Sequence, residues 1–152
     1  MNILTRTTLV AAVLVATSPI SHSADVRFNG TVEPVCSVVV GSDGVMKSSA
    51  DGRKFGSKEL GGVAGTVVVT SNTNQLSFSA AAPSSFTSSP TGGSEGVDFQ
   101  AEFTAAGLGS SVVGTAPLPI GITTVAVDLT ASKSSGTFPA GDYVADVVVT
   151  CE

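Results

Sequence analysis

Tyr143-Val144-Ala145-Asp146-Val147-Val148-Val149-Thr150-Cys151 closes the chain. Tyr143, Ala145, Val147, Val149 and Cys151 occupy every second position, and a period of two belongs to a strand with one buried face. Phe138-Pro139-Ala140-Gly141 turns the chain into it. Tyr143, near the start of a closing strand, is expected to pack its ring and hydrogen-bond the backbone. The stretch ends in one of only two cysteines. The other, Cys36, lies near the opposite end of the mature chain, so a Cys36–Cys151 disulfide would tie the first part of the domain to the last.

An oxidising compartment is expected from the first residues. Arg6 supplies a positive start, Leu9 to Ala16 an apolar run, and Ser21-His22-Ser23-Ala24 small residues suited to cleavage. Residues 1–24 therefore read as a signal peptide and 25–152 as one exported domain. The apolar run is far shorter than the roughly 20 residues of a membrane-spanning helix. In an exported chain two cysteines pair more readily than they bind metal, because two thiolates without histidine do not complete a zinc shell.

Working back from the closing stretch, the chain carries strand signals and no helical period. Val125, Val127 and Leu129 mark one strand, and Val97, Phe99, Ala101 and Phe103 another. Residues 83–96 are a Ser/Thr/Pro/Gly-rich loop with Thr91-Gly92-Gly93 at its tip. Gly107, Gly109, Pro117 and Pro119 predict an irregular connection. Gly65-Thr66-Val67-Val68-Val69-Thr70 reads as a buried strand. Asn72-Thr73-Asn74 turns it towards Leu76, Phe78 and Ala80, expected as its hairpin partner. Residues 45–60 are polar, with short irregular strands expected at one rim. Val26, Phe28, Gly30 and Val32 alternate with polar residues as a half-buried strand. Pro34 interrupts it, and Cys36-Ser37-Val38-Val39-Val40 resumes it. About six main strands at this spacing predict an all-β sandwich. With seven Phe, one Tyr and no Trp, its core rests on Val, Phe and Ala.

Composition narrows the function. The mature chain has 6 Lys and Arg against 12 Asp and Glu, a net −6 that argues against nucleic acid or anionic membrane partners. Its only histidine, His22, falls within the signal, so the commonest general base is missing. No Gly-x-Ser-x-Gly elbow occurs. Gly61-Gly62-Val63-Ala64-Gly65-Thr66 lacks the Gly-Lys-Ser/Thr ending of a phosphate loop. Asp142 and Asp146 read as solvated outer-face residues, and Glu95 and Asp98 offer too few clustered oxygens for calcium. The reading is of a non-enzyme with no cofactor and no metal.

Val26-Arg27-Phe28-Asn29-Gly30-Thr31-Val32 followed by Cys36 resembles the start of chaperone–usher fimbrial subunits. Ala140-Gly141-Asp142-Tyr143 with its alternating valines resembles the last strand of pilins and of the spore-coat-U-like family. Leu76-Ser77-Phe78 after a Val-rich strand and an Asn turn is similar as well. The resemblance implies a pilin-type, immunoglobulin-like β-sandwich lacking its last strand. A periplasmic chaperone, and then the N-terminal extension of another pilus subunit delivered at an usher, would supply the missing strand. It makes Tyr143, Ala145, Val147 and Val149 the border of the acceptor groove, and Val26, Phe28 and Val32 the donor. It places the protein in the periplasm and then at the cell surface.

Two departures stand beside the resemblance. In fimbrial subunits the second cysteine usually follows soon after the first, and here that region holds Thr70-Ser71. The family's donor extension is also longer than the one or two residues that would precede Val26. Either Val26–Val32 is itself a short donor, or the subunit accepts a strand and donates none, or it is a self-complete relative. The alternative function is a monomeric secreted binding module that uses loop 83–96 and the Lys-bearing segment 45–60.

Overall fold

A computed structural model of the chain describes residues 21–152. Most of the segment read as a signal therefore lies outside the described residues. The chain divides into two units at Thr31–Val32. In the first, residues 21–31 carry no regular structure.

The second unit is all-β and built from antiparallel sheets, with no helix among the described residues. Its strands are β1 (Cys36–Ser42), β2 (Lys47–Ser48), β3 (Lys54–Gly56), β4 (Gly65–Ser71), β5 (Ser77–Ala81), β6 (Val97–Ala105), β7 (Gly114–Pro117), β8 (Gly121–Lys133) and β9 (Val148–Cys151). The larger sheet is organised around β8, the longest strand. Along one edge, β8 pairs first with β4, from Gly121 to Val127, and then with β3, from Thr130 to Ser132. Along its other edge it pairs with β6 over Val125–Lys133. The outer strands are β1 on β4 and β2 on β3. The smaller sheet runs β7-β5-β9.

The alternation seen in the sequence fills the space between the sheets. Val67 and Val69 of β4, Ala101 and Phe103 of β6, and Val125 and Leu129 of β8 meet Phe78 and Ala80 of β5 and Ala116 of β7. Phe78 and Phe103 are both fully buried and touch edge to face, with ring centroids 4.9 Å apart. Such a pair adds about 1 kcal/mol beyond the area it buries. The Cys36–Cys151 disulfide joins β1 of the large sheet to β9 of the small one, with Cα atoms 6.0 Å apart. Its closed loop spans 115 positions, and in the chain-entropy account this contributes on the order of 4–5 kcal/mol.

Several sequence expectations need correction. Residues 26–32 form no strand, and Val26, Phe28 and Val32 are 75%, 91% and 85% exposed. Alternation makes a strand only where a neighbouring backbone completes the ladder, and among the described residues this stretch pairs with none. Leu76, Phe78 and Ala80 do not lead a hairpin back onto β4. The chain crosses to the other sheet, where β5 pairs with β7 and β9. The connection expected to be irregular contains β7. The closing strand is shorter than its pattern: the ladder holds only Val148–Cys151, while Tyr143–Val147 runs extended with the same alternation of half-buried and exposed residues. Loop 83–96 and the short strands near residues 47–56 are as expected.

Candidate functional site

Chain polarity at the disulfide sets up the site. β1 runs away from Cys36 and the closing segment runs back from Cys151, so the two lie side by side in opposite directions. Beyond the cross-link the space between them opens into a groove of about 610 Å³. One wall comes from β1 and the turn after it, Val40 and residues 42–46. The other is Tyr143–Val147 with Val149. The floor is sheet and core: Phe55, Ser57, Thr66, Val67, Val127 and Leu129.

The four residues expected to border a groove, Tyr143, Ala145, Val147 and Val149, all line this one. Each is half-buried and points inward between exposed neighbours. Their segment is extended because its far edge is held. Ser88 N donates to Val144 O at 3.2 Å, Val144 N donates to Ser88 O at 2.9 Å, and Thr87 Oγ1 donates to Asp146 Oδ2 at 2.6 Å. Gly141 starts the segment at φ 145°, and a Cβ there would collide with the Pro90 ring. Only glycine lets the backbone come this close to the loop.

An aromatic cluster closes the end of the groove away from the disulfide. The Tyr143 ring lies 5.1 Å from that of Phe55, 4.9 Å from Phe86 and 5.8 Å from Phe138. Its hydroxyl donates to Pro139 O at 2.7 Å, so the expected ring packing and backbone hydrogen bond are both present. Burial of the phenol raises its pKa above 10.0.

The groove is apolar at its lip. Val40 is 65% exposed, and Val45 and Val144 are also exposed. Among the described residues β1 pairs only with β4, and its other edge faces this space without a strand partner there. Exposed valines beside unpaired strand backbone make a template for a further strand. Asp43 and Asp146 give the lip negative charge.

The residues expected to donate a strand, Val26, Phe28 and Val32, carry no regular structure and are exposed. The chain between them and β1 is fixed: Val35 N donates to Asn72 Oδ1 at 2.8 Å, Asn72 N to Val35 O at 3.2 Å, and Asn72 Nδ2 to Glu33 O at 2.9 Å. Glu33–Val35 thus continues β1 in line past the end of β4. Asn72 read only as a turn residue in the sequence, and its tie to this segment had no local signal. Val40, Val45 and Phe55 also went unread as groove residues.

Among the described residues no group of three or more His, Cys, Asp or Glu side chains could hold a metal ion, and no helix is long and apolar enough to cross a membrane. Comparison with protein-family models, with curated proteins and with solved structures finds no match.

Proposed function

We propose that this protein is a structural subunit of a cell-surface fimbria or coat, exported to the periplasm, assembled by β-strand donation and serving adhesion or biofilm formation. The apolar groove between β1 and Tyr143–Val149 carries the reading. It has the walls that an added strand needs, with inward valines to receive alternate side chains and free backbone to pair with its ladder.

The donor in this reading is Val26–Val32 of a second copy. It presents apolar residues at alternate positions, and their side chains are exposed. Glu33–Val35 is held in line with β1 by Asn72 and makes no turn back along it, so donation runs from one copy to the next. A periplasmic chaperone would fill the groove before assembly, since an open apolar cleft with strand edges invites aggregation. An usher would then order the exchange.

Phe28→Asp tests the proposal. Its expected result is loss of multimers from native gels and size-exclusion chromatography, with the circular dichroism spectrum and melting temperature of the domain unchanged. Multimers that persist in the variant, or a wild-type protein that stays a stable monomer at high concentration, overturn the reading in favour of a monomeric secreted module.

A further inference from the structure

The disulfide joins the two walls of the site just beyond one end of its lining. An inserted strand needs about 4.7–4.9 Å to each neighbour, so the strands flanking it must stand roughly 9.5 Å apart. At the cross-link the Cα atoms of Cys36 and Cys151 are 6.0 Å apart, and covalent connection keeps them there. No third strand passes between them. The groove lining stops accordingly at Val40 on one wall and Val149 on the other, while Val38, next along the inward face of β1, packs against the core. The opposite end is shut by the ring contact of Tyr143 with Phe55.

We infer that the Cys36–Cys151 disulfide is an end-stop that fixes both the length and the register of the strand this groove accepts. The inference rests on the groove being a strand acceptor. The closing wall from Tyr143 to Val149 offers four inward positions over seven residues. A strand bounded at both ends must match that length. Val26–Val32 also has seven residues, with Val26, Phe28, Gly30 and Val32 on one face. A slip of one residue would turn the apolar face outward, and a slip of two would push one apolar side chain out of the groove. Sliding is the ordinary weakness of a bound strand, and a covalent barrier at one end removes it. Reduction of the disulfide would remove the barrier and let the bound strand run on towards Val38.

Synthetic peptides test this on the purified protein. The parent peptide spans residues 25–33, and a spin label on either terminus identifies, by NMR relaxation at Val149, the end that meets the disulfide. Valine and threonine are then added at that end, two residues at a time. In the oxidised protein, affinity is expected to stay within about twofold of the parent. In Cys36→Ala/Cys151→Ala the first extension is expected to tighten binding about tenfold, the worth of one more buried apolar side chain. Equal tightening in the oxidised protein overturns the end-stop and leaves the acceptor reading intact. Parent peptide that binds neither form overturns both. If the double variant does not fold, the oxidised protein decides alone: affinity that is flat at the labelled end and falls when residues are removed from it supports the stop, and affinity that climbs with length refutes it.

Discussion

Ser88 and Val144 exchange two backbone hydrogen bonds, at 3.2 and 2.9 Å. This contact turns a stretch outside either sheet ladder into a groove wall. Successive residues of an extended segment direct their amides to alternate edges, so with Val144 bonded to the loop, Ala145 and Val147 present theirs to the groove. Amide exchange followed by NMR should find Val144 protected in the isolated protein, with Ala145 and Val147 exchanging fast. Addition of peptide 25–33 should slow both. Unaltered exchange at Ala145 and Val147 under saturating peptide would show that no strand pairs with this edge.

Loop 83–96 backs that wall and is itself anchored from below. Lys133, at the end of β8, is 9% exposed, and its Nζ donates to Gly92 O and to Glu95 O, both at 2.8 Å. The ammonium also lies 5.5 Å from the centre of the Phe138 ring. Lys133→Met should strand two carbonyls and lose the ring contact, at about 2–3 kcal/mol. Urea unfolding measures the loss. Limited proteolysis should then cut the variant within residues 91–96, and a variant as stable and as resistant as the wild type would refute the anchoring role.

How much of this was legible in the sequence follows from what alternation encodes. It reports which face a residue turns to the core, and Tyr143, Ala145, Val147 and Val149 were readable for that reason even where no ladder forms. It does not report the partner. Leu76, Phe78 and Ala80 carry the same pattern whether their strand folds back on β4 or crosses to the small sheet, and the choice is made by burial of Phe78 against Phe103 far along the chain. Val26–Val32 shows the same gap in a sharper form: its pattern is that of a strand, and among the described residues no backbone ladder completes it. The groove's other wall was hidden because it lies about 100 residues away in sequence, Val45 opposite Val144, and only the fold brings the two together. The disulfide was the one long-range contact stated outright by the sequence, since two cysteines leave a single pairing.

Stability should depend on acid through Glu102. On the β6–β8 ladder Glu102 stands directly opposite Asp128, a like-charge placement that costs energy unless each is partnered. Ser57 Oγ donates to Asp128 at 2.6 Å, and Lys58 forms an ion pair with Glu102. The Lys58 hydrogen bond, followed by one from Ser111, holds the Glu102 carboxyl below its ordinary value of 4.5. A carboxylate whose pKa is depressed by folding stabilises the folded state above its unfolded pKa, and that contribution fades as pH falls through the folded value. Lys58→Met should therefore lower the melting temperature near neutral pH. The difference from wild type should shrink below about pH 4.5. The Lys58 side chain is 46% exposed, so the effect should be on the order of 1 kcal/mol or less. A difference that is constant from pH 7 to pH 3 would show that the pair does not act through charge.

In the proposed strand exchange, Arg27 would set the charge side of recognition. Flanked by Val26 and Phe28, it takes the outward face of any strand whose apolar residues point into the groove, and outward there means towards the lip. The lip carries Asp43 and Asp146, both exposed, in a chain whose net charge is negative. An arginine at that point meets carboxylates where a lysine-poor, acidic protein would otherwise repel a second copy of itself. Arg27→Glu in peptide 25–33 should weaken binding about three- to fivefold at low salt, the range of a solvent-exposed pair. Most of that difference should vanish near 1 M salt, where the screening length falls to about 3 Å. Arg27→Gln should lie between the two. Calorimetric titration at both salt concentrations measures the effect. If the Glu peptide binds as well as the parent at low salt, the strand does not lie with Arg27 at the lip. If its deficit survives high salt, Arg27 contributes by packing rather than by charge.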